Sequence, residues 1–234
     1  MNGITKTFVD GDIVAYRSAA SAESKDLSLQ EAQDNVDSML SGIVHTSLDF
    51  PEDTDWEVYL TGKSNFRFDI AKSHPYKGNR VNKEKPKFLS PLRDYMVARW
   101  DAEVSEGEEA DDLCSKAAYK NGPSSCIASV DKDLKMVPCW HYNFVKETFT
   151  YVEPFEGLVW FYTQVLTGDP ADNIKGIHRV GPKKAAQILD GATTEVGLYR
   201  RVLEAYEGDR DRVVENGRLL WMRKEDNELW EPPE

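Results

Sequence analysis

Thr7-Phe8-Val9-Asp10-Gly11-Asp12 is a run of strand-forming residues that stops on two carboxylates around a glycine. The spacing predicts a short buried strand delivering an acidic loop. A second segment of the same kind, Cys126-Ile127-Ala128-Ser129-Val130, ends on Asp131-Lys132-Asp133. Between them, Trp56-Glu57-Val58-Tyr59-Leu60 reads as a strand closed by Thr61-Gly62. Helical patterns alternate with these strands. Ser28 and Glu31 have capping-box spacing ahead of Leu29, Val36, Met39, Leu40, Ile43, Val44 and Leu48. Ser90-Pro91 reads as an N-cap and first-turn proline of a helix to about Trp100, and another helix is expected from near Glu109 to before Asn121-Gly122-Pro123. This alternation predicts an α/β fold with a central, mostly parallel sheet flanked by helices, whose ligands sit beyond the carboxyl ends of the strands.

After residue 156 the texture becomes helical, over 158–166, 182–189 and 195–206. We therefore expect an α/β core over 1–155 and a helical lobe over 156–234, with no flexible linker between them. The acidic tail from Glu225 to Glu234 is expected to be loosely held. The 234 residues carry 41 acidic and 29 basic side chains, a net charge of −12, which excludes a globally basic nucleic-acid coat. Forty per cent apolar residues can furnish a sizeable core. No apolar run approaches the roughly 18 residues a membrane span needs, and the first ten residues have no long apolar stretch of the secretory kind, so a cytoplasmic setting is expected. Cys114, Cys126 and Cys139 lack metal-knuckle spacing and read as plain thiols.

Four acidic clusters recur beside strand ends or helix starts: Asp10 with Asp12, Glu109-Ala110-Asp111-Asp112, Asp131-Lys132-Asp133 and Asp169-Pro170-Ala171-Asp172. Any one alone reads as a cap or a solvated face. Together they are hard oxygen donors with no histidine among them, a set that favours Mg²⁺ or Mn²⁺ over zinc. Two such ions about 3.5–4 Å apart suit in-line phosphoryl displacement.

From Lys72 to Arg99 there are eight basic side chains against two acidic, a local charge of +6 in an acidic chain. Lys77, Arg80 and Lys83 lie in this segment, which is suited to localised phosphate steering or is a solvated loop. Gly176-Ile177-His178-Arg179-Val180-Gly181-Pro182-Lys183-Lys184 reads as a glycine-bounded hairpin within 173–184 that opens a helix. Its free amides and two lysines could hold a DNA phosphate without reading bases.

The ordered series Val9-Asp10-Gly11-Asp12, Tyr76-Lys77-Gly78-Asn79-Arg80, Glu109-Ala110-Asp111-Asp112, Ser129-Val130-Asp131-Lys132-Asp133 and Gly168-Asp169-Pro170-Ala171-Asp172-Asn173-Ile174-Lys175-Gly176 resembles the 5′-nuclease (flap endonuclease-like) superfamily. The phage T7-type 5′-to-3′ exonucleases are the most similar branch, over about residues 7–190. The resemblance implies a PIN/5′-nuclease-like core with a helix-hairpin-helix-type lobe. It implies two divalent ions cradled by Asp10, Glu109, Asp111, Asp112, Asp131, Asp133, Asp169 and Asp172. Lys77 and Arg80, in a gateway over the site (72–99), would contact the scissile phosphate. Gly176 to Gly181 would hold duplex phosphates, in many relatives with K⁺, assisted by Lys83, Lys175, Lys183 and Lys184.

One departure stands out: such enzymes commonly place an acid after the second strand, where this chain has Thr61-Gly62, and Asp12 or Asp69 would have to substitute. The short stretch from Arg80 to Glu109 favours an exonuclease at duplex 5′ ends, nicks or flaps over threading of a long flap. The expectation is a monomeric deoxyribonuclease releasing 5′-phosphates, in phage replication or recombination inside a bacterial host. Two alternatives compete. A haloacid-dehalogenase-type phosphatase would use Asp10 and Asp12, with Thr61, Lys132 or Lys135 and the Asp169/Asp172 pair. A DNA-structure-binding protein would have kept the hairpin and lost turnover.

Overall fold

The computed structural model describes residues 3–48, 52, 55–81 and 83–234. Strand β1 (Lys6–Asp10) leads directly into α1 (Gly11–Ser24), then α2 (Leu29–Ser47) and β2 (Trp56–Leu60). The short α3 (Arg67–Ile70), α4 (Leu89–Trp100), β3 (Glu103–Val104), α5 (Ala110–Asn121) and β4 (Ser125–Ala128) follow. A hairpin of β5 (Trp140–Asn143) and β6 (Thr148–Tyr151) precedes α6 (Pro154–Thr167), the two-residue strands β7 (Gly168–Asp169) and β8 (Ile174–Lys175), and helices α7 (Pro182–Leu189), α8 (Glu195–Ala205) and α9 (Arg210–Leu220). The six-stranded sheet runs β3-β2-β1-β4-β5-β6, parallel except at β6, and β7 and β8 form a small antiparallel ribbon. The α/β architecture expected from the sequence is thus the one observed.

Alternation along β1 sorts the core onto the two faces of the sheet. Val9, with Cys126 and Ala128 of β4, packs towards α1, α2 and α4, whereas Phe8 and Ile127 pack towards α5 and α6. The second cluster runs without a break through Phe161, Tyr162 and Leu166 into Leu198, Val213 and Trp221, so the helical lobe shares its core with the sheet. The three cysteines carry free, buried thiols. Among the described residues no helix is long and apolar enough to cross a membrane.

Several elements differ from expectation. The acidic loop after β1 is a helix start: Asp10 is the N-cap of α1, accepting from the Ile13 amide at 3.3 Å. Gly11 lets that turn approach β2, since a Cβ there would lie 2.7 Å from the Tyr59 carbonyl oxygen. Helix α1 escaped pattern reading because its buried face is made of small residues, Ala15, Ser18, Ala19 and Ala22, which show little apolar periodicity. Helix α4 starts at Leu89 with Phe88 as its cap, two residues before the Ser90-Pro91 signal. The tail is held, not loose: Trp230 is 4% exposed and packs on Phe161, with ring centroids 5.4 Å apart, above Gly217.

Candidate metal centre

The carboxyl ends of β1 and β4 lie side by side, so Asp10 and the Ser129–Asp133 loop open onto the same pit. Ser129 Oγ donates to Asp10 Oδ2 at 2.7 Å and accepts from the Asp131 amide at 2.9 Å, and the Asp133 amide donates to Asp131 Oδ1 at 2.9 Å. Helix α5 brings its first turn to the rim. Glu109 caps this helix, and Asp111 is its second residue. Asp10 and Asp131 are close enough to Asp111 to raise its carboxyl well above the usual range, after burial itself, the larger cause. Burial and the charge of Asp12 likewise push Asp10 up to about 7. Among the described residues, no hydrogen bond or ion pair meets the Asp111 carboxylate.

Beside this group, Asp133, Asp169 and Asp172 bring three carboxylate oxygens within 4.8 Å of one another. Burial, then the charge of Asp131, raises Asp133 to about 7. For Asp169, burial is outweighed by hydrogen bonds from Lys132 and Asp133, and its carboxyl stays below the ordinary value. Lys132 Nζ bridges the pair, 2.8 Å from Asp133 Oδ1 and 2.8 Å from Asp169 Oδ2. An ammonium therefore stands against the oxygens a metal would take.

The gateway closes the third side. Its backbone is clasped to the 170–173 loop: the Lys77 amide donates to the Asp172 carbonyl at 2.9 Å, Asn79 to the Pro170 carbonyl at 2.7 Å and Asn173 to the Pro75 carbonyl at 2.9 Å. Tyr76 OH is shared by Glu109 (2.9 Å) and Asp172 (2.8 Å). Lys77, left-handed at φ 52°, ion-pairs with Glu109 and lies 3.9 Å from Asp172. Arg80 meets Asp172 at 2.6 Å. Seven carboxylates thus converge on Lys132, Lys77 and Arg80, with Arg67 3.8 Å from Glu109 but committed to Asp112, and a crowd of this kind is stable as anions only with further positive charge.

Of the sequence candidates, Asp10, Glu109, Asp111, Asp131, Asp133, Asp169, Asp172, Lys77 and Arg80 are brought together. Asp112 is the exception. It is fully buried and holds Arg67 with two hydrogen bonds, 2.5 and 2.9 Å, while accepting from the Arg223 amide at 3.2 Å. Burial alone would raise its carboxyl, but the Arg67 charge holds it below the usual value. Its oxygens are spent on protein donors, which corrects its expected place among the metal ligands.

At the acid-free end of β2, Asp12 has taken up position and Asp69 is exposed on α3. Asp12 Oδ2 accepts from the Thr61 amide at 3.0 Å, and Oδ1 pairs with Arg93. Thr61 Oγ1 in turn accepts from the Ala110 amide at 2.9 Å, propping the acidic turn of α5. This arrangement also gives Glu109 and Asp111 a place in the pit with Asp10, which the phosphatase alternative leaves unexplained.

The hairpin residues divide. Gly176 is packed so closely that a Cβ would lie 2.2 Å from the Thr167 carbonyl carbon, whereas Gly181, the N-cap of α7, has open space around it. Lys83, Lys175, Lys183 and Lys184 are exposed. Sequence reading missed Arg67, Arg93 and the neutralising role of Lys132. The only trace of the first is an arginine set between Phe66 and Phe68, a context that favours burial.

No family model matches the chain. Segments of DNA polymerase I are similar: 31% identity over 128 residues in Treponema pallidum and 35% over 108 residues in Borreliella burgdorferi, covering 47% and 40% of this chain but 12% of each polymerase. Among solved structures, the T5 D15 protein co-crystallised with metal ions superposes with a TM-score of 0.69 at 16% identity, covering 92% of this chain and 88% of that one. Flap endonuclease-1 from Methanococcus jannaschii gives 0.58 at 15% identity, covering 96% and 81%. The chain therefore has the fold of the 5′-nucleases, the fold its ordered motifs resemble. Within that fold its similarity to the T5 protein spans both the sheet and the helical lobe.

Proposed function

We propose that this chain is a divalent-metal-dependent 5′-to-3′ deoxyribonuclease, hydrolysing DNA phosphodiesters at or near 5′ ends, nicks or flaps to leave 5′-phosphates. The observation that carries the reading is the joining of Asp133, Asp169 and Asp172 to Asp10, Asp111 and Asp131 in one buried, under-neutralised pit. Asp10, Glu109, Asp111 and Asp131 would hold one ion, and Asp133, Asp169 and Asp172 the other. All-oxygen donors suit Mg²⁺ or Mn²⁺. When bound, the ions supply water activation and neutralise charge on the transferring phosphoryl group. One T5 5′-exonuclease structure holds zinc.

The protein's own groups do the rest. Lys132, 49% exposed at its side chain, can swing away from Asp133 and Asp169 as a divalent ion enters. Lys77 and Arg80, now paired with Glu109 and Asp172, are placed to turn to a phosphate once those acids engage metal, offsetting charge in the transition state. Burial would depress the Lys77 ammonium, but Glu109 and Asp172 keep it firmly protonated. The open first turn of α7 with Lys183 and Lys184 would grip a duplex phosphate, K⁺ at the 176–181 turn completing the grip, with Lys83 and Lys175 adding sequence-independent attraction. We assign 1–155, joined by Asp169 and Asp172, to catalysis and the rest of 156–234 to DNA holding, in a monomer acting in phage replication or recombination within a bacterial cytoplasm.

End-labelled duplex, nicked and flap DNA incubated with Mg²⁺ or Mn²⁺ tests this. Short 5′-phosphorylated products that vanish with chelator are expected. A phosphoaspartyl intermediate without DNA cleavage would instead establish the phosphatase, and binding without cleavage the non-catalytic alternative.

A further inference from the structure

The largest fully buried side chain is a cation, Arg67. Burying a guanidinium without a paired anion and satisfied donors would cost several kcal/mol, so its partners show what it is for. Two donors go to Asp112. Nε goes to the Leu219 carbonyl at 2.9 Å and Nη2 to the Trp221 carbonyl at 2.8 Å. The other face lies 4.6 Å from the Phe66 ring centroid, and Nη1 is 3.8 Å from Glu109 Oε2. Arg67 therefore joins two segments that are remote in sequence, the acidic first turn of α5 and the end of α9.

Helix α9 reaches further. One turn back, Asn216 and Arg212 both donate to the Lys175 carbonyl at 2.9 Å, at the base of the hairpin. Between them, Glu215 accepts from the Lys72 and Ser73 amides at 2.8 and 2.7 Å, where the gateway segment begins. Hairpin, gateway and carboxylate turn are thus all fastened to this one helix, and Arg67 is its fastening to the site.

We propose that Arg67 is a positioning residue for the reaction. With Asp112 as its anion, it locks the α5 turn bearing Glu109 and Asp111 to α9, and so sets the metal centre in register with the two elements that hold DNA. Neither Arg67 nor Asp112 touches substrate in this assignment. It rests on the metal-site reading above and adds that metal affinity depends on a pair that binds no metal.

The test uses the full chain carrying Asp112→Asn, which keeps shape and removes charge, together with Arg67→Gln and the double variant. Leu40→Ala in α2, buried in the core on the opposite face of the sheet, serves as a destabilised control. Mn²⁺ affinity is measured by calorimetry without DNA, alongside the Mg²⁺ concentration for half-maximal cleavage. Each single variant should weaken Mn²⁺ binding about ten-fold or more and raise the Mg²⁺ requirement. The double variant should be no worse than the poorer single, because both break one unit. Leu40→Ala should lose thermal stability at wild-type Mn²⁺ affinity. Folded Asp112→Asn with unchanged Mn²⁺ affinity would overturn the proposal, as would equal weakening in Leu40→Ala. A wild-type chain that binds no Mn²⁺ would sink the metal reading itself, and this proposal with it.

Discussion

The two ends of the central sheet are both rich in charge, and they use it in opposite ways. At the amino ends of β1, β2 and β3, a cleft of about 640 Å³ is lined by Lys6, Glu57, Glu103, Lys116, Lys120 and Asp226. There acids and bases alternate and pair: Lys6 with Glu57, and Lys116 with Asp226 at 2.6 Å. At the carboxyl ends, acids of one sign crowd together, buried, and push one another's protons on. Charge density alone would not separate the ends; uncompensated burial does, and it belongs to the end where parallel sheets bind ligands.

The largest expected effect falls on that difference. Asp131→Asn should reduce cleavage by about a thousand-fold or more while DNA affinity changes little, since loss of a ligand removes charge stabilisation and leaves phosphate docking intact. Glu57→Gln, its counterpart at the paired end, should leave cleavage unaltered. Quenched-flow cleavage beside filter binding checks both, and full activity in Asp131→Asn would erase the distinction.

Stability against pH sharpens it further. Asp10 and Asp133 titrate near 7 in the folded chain, and an unfolded aspartate titrates at 3.8. Between those values the native state holds more protons than the unfolded one, so stability falls as pH rises. The metal-free protein should lose on the order of 3 kcal/mol between pH 4 and pH 8 for each of these two groups, and Mn²⁺ should restore more at pH 8 than at pH 5. Denaturant melts with and without chelator measure this. A metal-free protein more stable at pH 8 would contradict the crowding account.

Lys183→Ala with Lys184→Ala should weaken DNA binding about ten-fold and lower the log–log salt slope by about 1 to 2, without moving the metal requirement. An unaltered slope would remove the hairpin from the DNA surface. The smallest effect should come from Lys6→Met, at most about 1 kcal/mol, because its partner Glu57 is part-exposed and screened.

The sheet was legible because β1, β2 and β4 are short apolar runs with abrupt stops, and the pit because Asp10, Asp131, Asp169 and Glu109 each follow such a stop or open a helix. What stayed hidden has physical reasons. Helix α1 buries small residues, so its amphipathic signal is weak. The β5–β6 hairpin alternates around Glu147, which sits at a positive φ of 53° without the glycine or asparagine that would announce the turn. Asp112 is separated from its neighbour Asp111 only by Arg67, 45 positions away in sequence. No local pattern can distinguish an acid offered to metal from one offered to arginine. The hold on the tail likewise depends on Gly217 leaving room for the Trp230 ring, a pairing visible only once α9 is in place.

Anomalous diffraction from crystals soaked in Mn²⁺ tests the central claim most directly. The account predicts two peaks at the carboxyl ends of the strands, one against Asp10, Asp111 and Asp131 and one against Asp133, Asp169 and Asp172, with Asp112 still on Arg67. An empty pit, or manganese gathered instead at Glu57 and Glu103 across the sheet, would contradict it.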